Sequence, residues 1–208
     1  MEQSNVVFNL DTIYEGTFKV TYRGVPAYRC PFDYLIYQML IFEVKPDLVI
    51  EIGTNFGGSA LYLSDLLKLD GHYGVVHSID IESRTSTFSS MFKDAGNIYF
   101  FMNGWQNYDI SLAKEYNKIL VIDDGSHQYQ DVLGAWQKFH SLVSVGSYYI
   151  IEDGVIEDLG LTLIHNGGPL KVIREILPLD GWIIDRRFCD LFGKNATFNV
   201  DGYLKRVK

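Results

Sequence analysis

Two short runs hold the residues best suited to chemistry. VIDDGSHQYQ (121–130) and YIIEDG (149–154) each carry an apolar stretch into a pair of carboxylates. If the two stretches are neighbouring strands, Asp123, Asp124, Glu152 and Asp153 meet at one edge of a sheet. Like charges at such range raise one another's pKa unless a cation lies among them. All-oxygen ligation without thiols favours magnesium, with manganese or calcium as alternatives, over zinc or copper. His127 stands three residues beyond Asp124. Beside such a cation a neutral imidazole can take a proton from a substrate hydroxyl whose pKa the cation lowers. The bland alternative makes Asp124 the cap of a following helix and Glu152–Asp153 a solvated strand end. One pair alone would favour that alternative; two pairs favour a metal site. His72, His77, His140 and His165 read as structural.

The second constellation is VIEIGTNFGGSA (49–60), an apolar run with a carboxylate, Glu51, and then a loop of three glycines. Glycines in such a loop signal that a ligand or another backbone comes close. The loop is no phosphate cradle of the GxxxxGK[ST] type, because it lacks the lysine. It also departs from GxGxxG, since Asn55 stands where the second glycine would admit a pyrophosphate. Asp80 ends the next apolar run, where a carboxylate can accept from both ribose hydroxyls. Glu51 suits a cationic ligand end. A cationic, phosphate-free nucleoside, S-adenosylmethionine, fits this company better than NAD.

These residues need a scaffold. Continuous apolar runs at 47–52, 74–80, 97–102, 118–124 and 147–153 read as strands covered on both faces. Helical spacing over 33–44, with Asp33 as cap, over 59–69, 132–143 and 169–177 alternates with them. Two more strands at 182–187 and 198–207 lack a helix between them and predict an antiparallel edge pair. The sum is an α/β fold with a mostly parallel seven-stranded sheet. A chain of 208 residues, 47% of them hydrophobic, can bury one substantial core. It divides into an N-terminal segment (1–30), given to substrate or oligomer contacts, and a single domain (31–208). The net charge of −8 speaks against nucleic acid, and Lys205, Arg206 and Lys208 read as a solvated tail. No run reaches the roughly 18 apolar residues of a membrane span, and the N-terminus does not read as a secretory signal. Cys30 and Cys189 have no zinc spacing and read as buried thiols of a cytoplasmic protein.

PDLVIEIGTNFGGSALYLSDLL, IDDGSHQYQDVLGAW, GSYYIIEDGVIEDLG, GGPLKVIREIL and NVDGYLKRV, in that order, resemble the cephalosporin hydroxylase family, which includes rhamnosyl and macrolide-sugar O-methyltransferases. The likeness runs from about Tyr22 to the C-terminus. It implies the Rossmann-like class I methyltransferase fold, S-adenosylmethionine as cofactor, and magnesium held by Asp124, Glu152 and Asp153, with His127 as base. Cofactor contacts map to Glu51, Gly53, Thr54, Ser59, Asp80, Asn103, Gly104 and Trp105, with Asn55 in the same loop. It further implies a homo-oligomer and a small-molecule or glycan acceptor. The macrolide-sugar enzymes are longer, so the acceptor site falls to the first 30 residues, to Glu157–Gly168 and to a neighbouring subunit. The activity expected is O-methylation of a hydroxyl on a sugar, glycoconjugate or natural-product scaffold. A hydroxylase component and a non-catalytic cofactor-binding or assembly protein are the rivals. Nothing in the sequence supplies a flavin, haem or iron site for oxidation.

Overall fold

The computed structural model describes residues 8–69, 71 and 73–208, so His72 and the first seven residues of the N-terminal segment lie outside the described residues. The chain opens with α1 (Leu10–Thr17), capped by Asn9. The hairpin β1 (Thr21–Tyr22) and β2 (Val25–Pro26) turns on Arg23 and Gly24, both at positive φ. Two positive φ values in a two-residue loop match the twist of paired strands, and glycine meets the second without strain.

The next helix is α2 (Pro31–Val44), which packs on the large sheet and starts two residues before the expected 33. Asp33 does not cap it. That carboxylate is fully buried and accepts from Tyr203 Oη, the Phe198 amide and Thr197 Oγ1, which ties α2 to the far end of the chain. Pro31, with no amide hydrogen to satisfy, starts the helix instead.

Then follow β3 (Leu48–Ile52), α3 (Gly58–Leu69), β4 (Val75–Ile79), the short α4 (Ser89–Phe92) and β5 (Ile98–Phe101). After them come β6 (Ile119–Asp123), α5 (Tyr129–Phe139), β7 (Tyr148–Ile151), α6 (Gly168–Ile176), β8 (Trp182–Ile184), α7 (Arg186–Cys189) and β9 (Tyr203–Arg206). The sheet order is β5-β4-β3-β6-β7-β9-β8, parallel through β7, with β9 antiparallel to both its neighbours. This is the expected seven-stranded α/β sheet with its antiparallel edge.

Both faces are buried in the expected way. Ile50, Val121 and Tyr149 pack on one face with α5 and α6, while Val49, Leu120 and Tyr148 pack on the other with α2 and α3. Alternate residues of one apolar strand thus serve two cores. The last two strands are shorter than their apolar runs. Asp185 ends β8 by accepting from the Arg187 amide as cap of α7, and residues 198–202 form a turn with Asp201 at positive φ before β9 begins.

Candidate active site

The carboxyl ends of β3, β4, β6 and β7 open on a cavity of about 560 Å³. Its walls include Gly53, Thr54, Asn55, Ser59, Asp80 and Trp105 on one side and Asp124, His127, Glu152 and Asp153 on the other. The N-terminal segment lends Tyr14, Thr17, Phe18, Tyr28 and Arg29, and the stretch before α6 lends Leu161 and His165.

The first glycine answers to backbone. At φ +101°, Gly53 lies so close to β6 that an added Cβ would sit 1.9 Å from the Asp124 carbonyl oxygen. Two hydrogen bonds tie the end of β3 to both its neighbours there, Asp124 amide to Ile52 carbonyl on the β6 side and Gly53 amide to Ile79 carbonyl on the β4 side, both 2.8 Å. Gly58 likewise lets the Pro26 carbonyl come within 2.3 Å of where its Cβ would be. The loop therefore brings the acidic strand end and the N-terminal segment up to the cavity.

Glu51 is not on the cavity wall. It is fully buried, and its oxygens accept from Ser59 Oγ and, at 2.6 Å, from Ser78 Oγ. Burial pushes its carboxyl above the ordinary range, opposed by Arg29 at 3.9 Å. Glu51 holds Ser59 and Ser78 beneath the loop, and Ser78 in turn meets Thr54 Oγ1 at 2.6 Å. Asp80 does reach the cavity. Its two oxygens accept from the Asn55 and Ile81 amides, both at 2.7 Å, which fixes the carboxylate with lone pairs to spare. Trp105 lies over Gly134 and lines the cavity, whereas Asn103 and Gly104 support it from behind: Asn103 accepts from Asn107, and Gly104 donates to the Asp80 carbonyl. Arg84 stands at the rim, held by Glu82.

On the acidic side the strand pairing β6–β7 brings the two motifs together. Asp124, His127 and Asp153 each offer a ligand atom, all within 4.8 Å of one another. His127 Nε2 lies 3.2 Å from Asp153 Oδ2 and 4.0 Å from Asp124 Oδ1. Both His127 and Asp153 take left-handed backbone, at φ 56° and 57°, a strain of about 1–3 kcal/mol per residue that tends to collect at functional sites. Glu152 shares the cavity floor but lies outside the triad. It is buried, accepting from Tyr37 Oη at 2.7 Å and from Arg29 Nε at 3.0 Å, with Arg29 Nη2 at 2.6 Å. Asp123 does not line the cavity. It is buried beneath it, and desolvation pushes its carboxyl up to about 8. Asp124, not Asp123, is the cavity-facing residue of the DxxH run, and it does not cap the helix after it, whose N-cap position is Gln128 with no side-chain cap.

The residue that the sequence did not single out is Arg29. The residue is 3% exposed, and its guanidinium pairs with Glu51, Asp124 (3.1 Å) and Glu152. It also lies over the Tyr37 ring at 4.7 Å. His165, read as structural, faces the cavity with its ring 6.1 Å from that of His127. His77 and His140 do sit structurally: His77 is buried among aromatic rings against Tyr108 Oη, and burial holds it down at about 4; His140 stacks on Trp136.

The pattern of fold and site has clear relatives. The family model described as rhamnosyl O-methyltransferase/CmcI matches residues 15–207. The chain belongs to that family. A rhamnosyl O-methyltransferase of Mycobacterium tuberculosis is 28% identical over 161 residues, 74% of this chain and 65% of that protein's length. A solved structure of CmcI with Mg and SAM superposes with a TM-score of 0.66 over 92% of this chain and 78% of its own, at 21% identity. One of CmcI with SAH gives 0.71 over 100% and 96%, at 20% identity. The fold of this family member is therefore that of the class I methyltransferases.

The donor set fits a hard divalent cation. Burial first and then Glu152 and Asp153 push the Asp124 carboxyl well above its ordinary range, and Arg29 alone does not bring it back. Two carboxylates and an imidazole facing one point, with no thiol, suit magnesium or manganese. Asp80 and the Gly53–Asn55 loop across the same cavity fit an adenosyl group, with no lysine among the described residues of the wall to prefer a phosphate.

Proposed function

We propose that this chain is a magnesium-dependent O-methyltransferase that uses S-adenosylmethionine and acts on a hydroxyl of a sugar, glycoconjugate or related natural product. The observation that carries the reading is a shared cavity: Asp80 and the Gly53–Asn55 loop on one wall, Asp124, His127 and Asp153 on the other. When bound, the cofactor would supply the methyl group on a sulfonium, and the cation a positive charge beside the acceptor hydroxyl. Asp80 accepts from the ribose hydroxyls, and Trp105 closes that wall. Asp124 and Asp153 hold the cation, with Glu152 in reserve behind them. Magnesium prefers oxygen ligands, which leaves the His127 imidazole to take the hydroxyl proton. Asp153, 3.2 Å from His127 Nε2, orients that ring. Tyr14, Phe18 and Tyr28 with Leu161 and His165 surround the remaining space and form the acceptor side. Holding oxygen and methyl in line within these walls supplies much of the rate.

Two further readings accompany this one. The chain works as a closed homo-oligomer, supported by Leu35, Met39 and Phe42, 44%, 42% and 65% exposed along α2. It works in the cytoplasm, supported by Cys30 and Cys189, both free and buried. No helix among the described residues is long and apolar enough to cross a membrane.

The test is methyl transfer from labelled S-adenosylmethionine to a panel of glycans and glycosides. Transfer is expected to stop with EDTA, return with Mg²⁺, and fall about 10²–10⁴-fold in His127→Ala. Transfer that survives both chelation and the loss of His127 would overturn the mechanism.

A further inference from the structure

Arg29 belongs to the N-terminal segment, yet its guanidinium lies at the bottom of the carboxylate cluster. Its Nη2 reaches Asp124 Oδ2 at 3.1 Å, leaving the other oxygen, Oδ1, on the side of His127. The same guanidinium donates through Nε to Glu152 Oε2 at 3.0 Å. One rigid fork thus decides which Asp124 oxygen faces the candidate cation. It is also the polar anchor that reaches the carboxylate cluster from a stretch that roofs the cavity with Tyr14, Phe18 and Tyr28. Tyr22 and Arg23 tie the same stretch to Asp65 at 3.0 Å each, and Tyr34 Oη donates to the Ala27 carbonyl at 2.9 Å. Shape adds to this: the Pro26 carbonyl fills the space left by Gly58, and within the segment the Ala27 amide closes on the Val20 carbonyl at 3.0 Å.

We propose that Arg29 is a positioning residue that couples cation binding at Asp124 and Asp153 to the seating of residues 8–30 over the cavity. This deepens the proposed function and rests on its cation site. A guanidinium offers no lone pair to a cation, so Arg29 acts through Asp124. Hydrogen bonds to a ligating carboxylate fix its orientation, and losing such a partner typically lowers metal affinity about 10–100-fold. The coupling is reciprocal: if a seated segment holds Asp124 ready for the cation, the cation in turn favours the seated segment. A lysine at this position keeps the charge but loses the planar fork, and with it the second donor that Nε gives Glu152, so it holds Asp124 and Glu152 less firmly.

The experiment uses the full chain with Mg²⁺ alone, read by calorimetry and by amide hydrogen exchange over residues 10–30. In the wild type, saturating Mg²⁺ slows exchange in that stretch several-fold. Arg29→Gln binds Mg²⁺ at least tenfold more weakly, and exchange there no longer responds to the ion. Because a neutral residue strands Glu51 and Glu152, Arg29→Lys is measured beside it. The lysine variant folds and keeps intermediate affinity, with the exchange response reduced. Arg29→Lys that matches the wild type in both affinity and exchange response overturns the coupling alone. A wild type that takes up no Mg²⁺ overturns the cation site and the coupling together.

Discussion

At the scale of single residues, the site separates carboxylates that face the cavity from carboxylates that hold it up. Asp124 and Asp153 have oxygens to give, whereas both Glu152 oxygens are engaged by Tyr37 and Arg29. Asp124→Ala and Asp153→Ala are therefore expected to abolish Mg²⁺ binding in calorimetry, Asp153→Ala with a melting temperature close to the wild type and Asp124→Ala with a modest fall, because Arg29 loses one partner but keeps Glu152. Glu152→Ala takes a partner from a buried guanidinium, a loss of about 3–5 kcal/mol, and should appear first as a large fall in melting temperature. Equal effects of all three on Mg²⁺ binding with no melting difference would place Glu152 among the ligands after all. The sequence made Asp124, His127 and Asp153 visible because short motifs at strand ends carry them. Arg29 stayed hidden because its partners lie 95 and 123 residues away. An arginine inside the apolar stretch VPAYRCPF (25–32) was the only available signal.

At the scale of elements, apolar runs marked each strand of the seven-stranded sheet, but local chemistry set where each one stops, and the hairpin of β1 and β2 went unmarked. Asp33 illustrates the limit: acidic residues near a helix start commonly cap it, and here long-range donors claimed it. Burial raises its carboxyl to about 6 despite three hydrogen bonds. Between about pH 4 and 6 the folded chain keeps a proton that the unfolded chain has released, so this group's contribution to stability falls as pH rises. Asp33→Asn lacks that slope. The variant should melt below the wild type at pH 4, and the gap should narrow toward pH 6 and then hold constant. A gap that widens over that range would show the carboxylate to be held ionised. Gly53 makes the parallel point for the loop. Gly53→Ala meets the Asp124 carbonyl at 1.9 Å and adds about 1–3 kcal/mol of overpacking to about 1–3 kcal/mol of backbone strain. Gly24→Ala, also at positive φ but in open space, carries the strain alone. Denaturant titration should therefore rank Gly53→Ala well below Gly24→Ala; equal losses would mean the strand ends can part.

At the scale of the whole molecule, the strand order could not be read from periodicity, which reports only that a strand is covered on both faces. The order matters because it sets β3 between β4 and β6 and so places Asp80 and Asp124 on opposite walls of one cavity. A ligand that spans those walls stabilises the fold as a unit. S-adenosylhomocysteine at a hundred times its dissociation constant should add about 2.7 kcal/mol. For a chain of this size each kcal/mol raises the melting temperature by about 2–4 °C, so a rise of several degrees is expected, readable by scanning fluorimetry. NAD at the same concentration should add little, because its pyrophosphate would face Asp80, Asp124 and Asp153 with Arg29 already committed to carboxylates and Arg84 to Glu82. Asp80→Ala should remove most of the S-adenosylhomocysteine shift, since two buried ribose hydroxyls lose a charged acceptor worth about 1.5–3 kcal/mol per bond. A larger shift with NAD than with S-adenosylhomocysteine would reassign the cavity to a dinucleotide, and the acidic wall would then need a different purpose.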